Sequence, residues 1–230
     1  MDLVKSYEYF QPELLKGKRV HIIGCGSVGS TIAENLARFG ITDMTLYDFD
    51  KVESRNVVNQ MFTEGDVGRL KIEALQDILL EINPNINDKE GGGLRLEPEG
   101  WTGQKLSGYV FLAVDSIKTR REIVEQNKDN EYIDAMFDFR TGLTDGQHFA
   151  ADWYKTNQVD SFYKSMDFTD ESAKAANPVT ACNVSLCVCT TIRVLVGLGV
   201  QNFIDFVRTG EINKVILMDL NPLNIQSFRG

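Results

Sequence analysis

The chain has 230 residues, enough for one sizeable core, and its 43% apolar and 25% charged residues are ordinary for a water-soluble globular protein. A net charge of −9 excludes a general binder of nucleic acid or of anionic membrane, because such affinity rests on many Lys and Arg neutralising phosphates. Any anionic ligand must therefore find its positive field in a local cluster.

The opening residues, MDLVKSYEYF, lack an apolar run of signal-peptide length. RVHIIG (19–24) reads as a short apolar strand, followed by GCGSVG and a helix, STIAENLARFG. In that helix Ile32, Ala33, Leu36 and Ala37 recur at three-to-four spacing, so one face can pack on a sheet, and Gly40 ends it. MTLYDFD (44–50) is the next strand. A helix is expected from about 70 to 82, with Leu75, Ile78, Leu79 and Ile82 on one side, stopped by Asn83-Pro84. LRLEP (94–98) is a weak strand and YVFLAVD (109–115) a strong buried one; the helix SIKTRREIVEQNKD then leads to a strand EYIDAMFDF (131–139). Strands alternating with helices predict parallel β-α-β units, that is, an α/β fold with a Rossmann-like, doubly wound, mostly parallel sheet.

After Arg140 the alternation stops. HFAADWYK (148–155) reads as a strand, 161–178 as a long polar crossover loop, 179–209 as a helix and NKVILMDL as a closing strand. No repeat, low-complexity tract or linker divides the chain, so a single domain over 1–230 is expected. The stretch VSLCVCTTIRVLVGLGV (184–200) carries Arg193, several hydroxyls and two glycines, which favours a buried helix over a membrane span. Cys25, Cys182, Cys187 and Cys189 fit neither zinc-ligand pairs nor a disulfide framework, so reduced thiols and a cytoplasmic location are expected. His21 lies inside the first strand and is read as packing; His148 has no visible nucleophile beside it.

GCGSVG matches G-x-G-x-x-G at Gly24, Gly26 and Gly29. Between a strand and a helix such glycines let the backbone turn tightly and approach a phosphate, which the free N–H groups of the helix start then face. An acidic residue at the end of the second strand suits ribose hydroxyls, and Asp48 fits. A nicotinamide-dependent dehydrogenase would show the same two features. The residues that follow differ: DFDKV (48–52), SRNVVNQ (54–60), VGRLK (67–71) and AVDS (113–116) place Asp48, Asn56, Gln60, Lys71 and Asp115 around one crevice. A hydride carrier needs no such set, whereas a triphosphate under attack needs a cation, amide donors and a metal-binding carboxylate.

These five motifs, in this order and at this spacing, resemble the ThiF/MoeB family of adenylyltransferases, which includes relatives that activate ubiquitin-like proteins. The resemblance covers residues 17–125 closely and the rest in outline. It implies that Gly24, Gly26, Ser27 and Gly29 line the adenosine and phosphates and that Asp48 holds the ribose. It further implies that Asn56, Gln60 and Lys71 hold the phosphates and that Asp115 binds Mg²⁺. The implied reaction joins AMP from ATP to the C-terminal carboxylate of a small ubiquitin-like or sulfur-carrier protein ending in Gly-Gly. The implied assembly is a homodimer, with 17–125 as the nucleotide half and 126–230 as the carrier-docking and dimer half; no nucleic acid and no membrane is involved. Asp50 is read equally as a magnesium helper and as a strand-end cap. Cys182, just beyond the crossover, is the candidate for a transfer thiol, against the reading of a small core residue.

Two departures from the family pattern stand out. Its arginine in N-L-x-R-Q is Asn59 here, and the N-terminal segment YEYFQPELL has no arginine to lend to a partner. If 53–60 forms a helical turn, Arg55 shares a face with Asn59 and would replace the missing charge; a solvated Arg55 is the alternative and is slightly favoured. Arg120 and Arg121 are expected on a solvated helix face, with phosphate contact as the alternative. The alternative to an enzyme is a non-catalytic nucleotide-binding partner that keeps the fold.

Overall fold

The computed structural model describes residues 1–87, 92–176 and 188–229. Eight strands form one sheet in the order β3-β2-β1-β4-β5-β6-β7-β8. They are β1 (Val20–Ile23), β2 (Met44–Tyr47), β3 (Arg95–Glu97), β4 (Gly108–Leu112), β5 (Ile133–Thr141), β6 (Asp145–Asp152), β7 (Asn213–Leu220) and β8 (Leu223–Arg229). The first five pair in parallel and the last four antiparallel, with β5 belonging to both sets. Central β1 pairs on both sides, Ile23 opposite Tyr47 and Leu112, so the carboxyl ends of β1, β2 and β4 lie side by side. In an open α/β sheet that edge is where ligands bind.

Helices cover both faces. The helices are α1 (Ser27–Arg38), α2 (Lys71–Ile82), α3 (Ile117–Gln126), α4 (Thr156–Lys164), α5 (Asp170–Ala176) and α6 (Cys189–Thr209). Side chains alternate across a strand, and the core divides accordingly. Ile22, Leu46 and Phe111 pack with Ile32 and Leu36 of α1, Leu75 of α2 and Phe203 of α6. Ile23, Tyr47 and Leu112 pack with Val124 of α3 and Phe162 of α4. By length and composition α6 is apolar enough to cross a membrane, but Ile192, Leu195, Val196, Val200 and Phe203 bury one side of it in the core.

Three expectations change. The segment expected to be an uninterrupted polar loop contains the end of α4 and all of α5, short helices held by tertiary packing: Phe162 meets Trp153 edge-on at 6.0 Å. The last helix begins at Cys189, and the earlier part of the expected helix lies outside the described residues, with Cys182 and Cys187. A further strand, β8, follows the expected last one; every residue in it is exposed, and its brief alternation, Leu223 to Gln226, was not read as a strand.

Both histidines are core groups. His148 donates through Nδ1 to the Asp138 carbonyl at 3.1 Å and accepts at Nε2 from Asn202 at 3.1 Å. His21 bonds Tyr47 Oη at 2.9 Å and accepts from the Ser107 N–H at 3.4 Å. Burial lowers each pKa from 6.5 to about 4. The unfolded chain therefore takes up protons that the fold refuses between about pH 6.5 and 4. Stability is expected to be full above pH 6.5 and to fall by on the order of a few kcal/mol as pH drops toward 4. Urea unfolding at pH 7.5 and 5 reads this, and His148→Gln should flatten the slope.

Candidate functional site

The three loop glycines serve different purposes. Gly24 has φ +94°, and a Cβ there would stand 2.7–2.8 Å from backbone atoms of Ala113 and Val114, so the loop lies flat against the segment leaving β4. A Cβ on Gly29 would strike the carbonyl oxygen of Gly24, so its absence lets α1 close onto β1. Around Gly26 the protein supplies no such contact: the nearest atom to its Cβ position is Nε2 of Gln60, at 4.0 Å. Gly26 is also the N-cap of α1 and offers no side-chain cap, so the first N–H groups of that helix face this space without an intrahelical partner. Gly24→Ala is expected to cost about 1–3 kcal/mol from strain alone. Gly26→Ala should stay within about 1 kcal/mol of the parent, and chemical denaturation compares the two.

The D-x-D turn after β2 is stitched to this loop and to α2. Asp48 accepts the Cys25 N–H through Oδ2 at 2.7 Å and the Asp50 N–H through Oδ1 at 2.8 Å. Burial raises its pKa, opposed by the Lys71 charge and those two N–H donors. Asp50 pairs with Lys71 Nζ at 2.7 Å, and its carbonyl accepts the Lys71 N–H at 2.9 Å. The Lys71 side chain is only 9% exposed, so its ammonium is held at the cleft by the start of α2 rather than free in solvent. Cys25 is a filler here: burial, then the Asp48 charge, pushes its thiol pKa up, which disfavours a thiolate.

The polar tail of the motif forms a 3-10 turn, Ser54–Asn56, whose capping box uses the side chains of Glu53 and Asn56. Arg55 is not brought toward Lys71; its guanidinium pairs with Glu53 at 2.7 Å and the side chain is 64% exposed. Gln60 lies over Gly26, and its Oε1 is buried without a hydrogen-bond partner among the described residues. The amide atom that faces the open space at Gly26 is the donor Nε2.

Asp115 stands exposed directly after the segment that Gly24 touches, and the chain is pinned on both sides of it. Before it, the Arg120 Nε donates to the Val114 carbonyl at 2.7 Å. After it, Asp170 accepts from the Ile117 N–H at 2.6 Å and the Ser116 Oγ at 3.1 Å. Arg120 is buried rather than solvated. It shares the fully buried Asp138 carboxylate with Arg140, which in turn donates to the Ser165 carbonyl at 2.7 Å. Arg121 is also docked, donating to the Met166 carbonyl at 2.9 Å with its guanidinium 4.8 Å from the Tyr163 ring centre.

The structure thus places Gly24, Gly26, Ser27, Gly29, Asp48, Asp50, Gln60, Lys71 and Asp115 along one edge of the sheet, around β1. Asn56 lies in the adjoining turn with its Oδ1 committed to the Glu53 N–H. Among the described residues no three His, Cys, Asp or Glu side chains gather as a metal cluster. Asp138, Arg140 and Asp170 escaped the reading of the sequence. A D-x-R pair on one strand, Asp138 and Arg140, was the available signal for the first two.

The ThiF family model matches residues 8–229. Ubiquitin-like modifier-activating enzyme 5 of Caenorhabditis elegans is 37% identical over 86 residues, which cover 37% of this chain and 19% of that protein. Its counterpart in Drosophila persimilis is 41% identical over 86 residues, covering 37% and 21%. The aligned stretch is about a fifth of the length of these relatives. Escherichia coli MccB solved with ATP superimposes with a TM-score of 0.68 at 18% identity, covering 95% of this chain and 65% of that one. PaaA does so with a TM-score of 0.68 at 18% identity, with the same coverage of 95% and 65%. At such identity the likeness is one of fold. With the family model spanning nearly its whole length, the chain belongs to the ThiF family.

Proposed function

We propose that the chain binds ATP with Mg²⁺ in this cleft and adenylylates the C-terminal carboxylate of a small ubiquitin-like or sulfur-carrier protein. The observation that carries the reading is the space above Gly26, left open by the absent Cβ and faced by the start of α1 and the Gln60 Nε2. Free helix N–H groups and the Gln60 amide N–H, already turned to this space, suit phosphate oxygens. Family membership, the name of the activating enzymes and the ATP-bound MccB support the same reading.

The chemistry explains the side chains. An attacking carboxylate and the α-phosphoryl group are both anionic, and two unit charges 4 Å apart repel by roughly 4 kcal/mol at an effective dielectric near 20. Lys71 stands beside the glycine loop to offset that repulsion, and Asp50 holds its ammonium in place until the ligand arrives. Asp48 ties the glycine loop to the D-x-D turn by accepting the Cys25 and Asp50 N–H groups, and is the residue we assign to the ribose. The Asp115 carboxylate, exposed and fixed on both flanks, suits a divalent ion that takes its other ligands from phosphate and water. Bound there, Mg²⁺ would neutralise the charge that develops on the departing pyrophosphate. The carboxylate oxygen bonds to the α-phosphorus, the bond to the bridging oxygen breaks, and pyrophosphate leaves. A carrier ending in Gly-Gly would reach this point without side-chain bulk, and a homodimer is the assembly we propose.

The second reading, a nucleotide-binding subunit without chemistry, draws on Asn59 and on the Arg55–Glu53 pair, which leave the 53–60 turn without a free guanidinium. Exchange of labelled pyrophosphate into ATP, with a candidate carrier present, separates the two. Carrier-dependent exchange supports the enzyme. Binding of MgATP without exchange supports the subunit, and no binding of either MgATP or AMP overturns both.

A further inference from the structure

Within the proposed ATP site the cations are few. Lys71 is neutralised by Asp50, and Arg55 by Glu53. Among the described residues, only Arg95 and Arg193 of the arginines form no ion pair with a carboxylate. Arg95 starts β3, at the opposite edge of the sheet. Arg193 stands on the exposed side of α6, and its guanidinium rests on two sulfur atoms: Nε is 3.1 Å from Cys189 Sγ, and Nη2 is 3.6 Å from Met61 Sδ. Sulfur is a weak acceptor, so in a chain of net charge −9 this cation is left with its charge unspent.

Its neighbour gives the location meaning. Met61 directly follows Gln60, the residue that lies over Gly26 with a buried, unpartnered Oε1. Asp48 grips the loop at Cys25, whereas Gln60 reaches it at Gly26, with Nε2 4.0 Å from the Cβ position there. Arg193 therefore borders the cleft next to Gln60. A guanidinium presents five donors in a planar fork that matches a phosphoryl group, and an exposed arginine changes rotamer within nanoseconds.

We propose that Arg193 is a phosphate-binding side chain of this cleft. It leaves Cys189 and Met61 to take the polyphosphate end of the nucleotide, and so supplies from α6 the guanidinium that the 53–60 turn does not. The proposal rests on the ATP reading above. The test is calorimetric titration of the full chain and of Arg193→Ala and Arg193→Lys with MgATP, inorganic pyrophosphate and AMP. The alanine variant should weaken MgATP and pyrophosphate by about ten- to a hundred-fold and AMP by less than about twofold. Lysine should recover part of the loss, because it keeps the charge but not the fork. A side chain that only braces α6 would weaken all three ligands together. Equal loss of AMP and MgATP, or unchanged MgATP affinity, overturns the role of Arg193 and leaves the ATP reading standing. Failure of the parent chain to bind MgATP or AMP overturns both.

Discussion

Lys71→Met is expected to lower carrier-dependent pyrophosphate exchange by about a hundred- to a thousand-fold, the usual cost of one positioned donor. Methionine keeps most of the buried stem and removes the ammonium. The bond lost on the protein side is to Asp50, whose side chain is 53% exposed, so that pair is worth no more than about 1 kcal/mol. Thermal melting should therefore move by only a few degrees while exchange collapses. The contrast between the two measurements is the test. A large drop in melting temperature alongside the loss would make Lys71 a structural brace for the D-x-D turn instead.

Asp138→Ala carries the largest expected effect on stability. The carboxylate has no exposed surface and serves Arg120 and Arg140 together, both buried nearly as deeply. Burial lowers the Arg140 pKa, and the Asp138 charge works against that. Removing the anion leaves two cations facing each other in the core, a loss of about 3–5 kcal/mol, against about 5–15 for a typical domain. Denaturant unfolding should show the midpoint falling accordingly. The damage should reach the cleft as well, because Arg120 holds the Val114 carbonyl one residue before Asp115. Asp138→Asn keeps a hydrogen-bonding group of the same shape and is expected to fall between parent and alanine variant.

The parallel half of the sheet was legible because its signals are local. β1, β2 and β4 are short apolar runs, and the glycine loop and D-x-D turn follow two of them directly. Residues that form the cleft by lying just after strand ends, such as Asp48 and Asp115, could be placed by counting along the chain. Residues that act through partners far away could not. Arg120 looks like a surface residue in KTRREIVEQ, and only the strand eighteen residues later supplies the counter-ion that lets it be buried. Asp170 meets Ile117 from 53 positions away, and nothing in TDESAK marks it. Arg193 belongs to the same class: its neighbour Met61 is 132 residues distant. Arg55 is the reverse case. Helical spacing allowed it to reach position 59, but Glu53, two residues before it, offered a nearer charge, and the side chain stays 64% exposed, as the favoured solvated reading had it.

The mixed construction of the sheet also sets the order in which the chain can assemble. β7 and β8 close with Leu220 opposite Leu223, and β5 and β6 with Thr141 opposite Gly146, so these ladders need only short excursions of chain. Seating β1 against β4 must bring Val20 to Tyr109, and that long closure is paid in entropy before any contact rewards it. During refolding, amides of the C-terminal hairpins should gain protection from exchange early, and the nucleotide edge last.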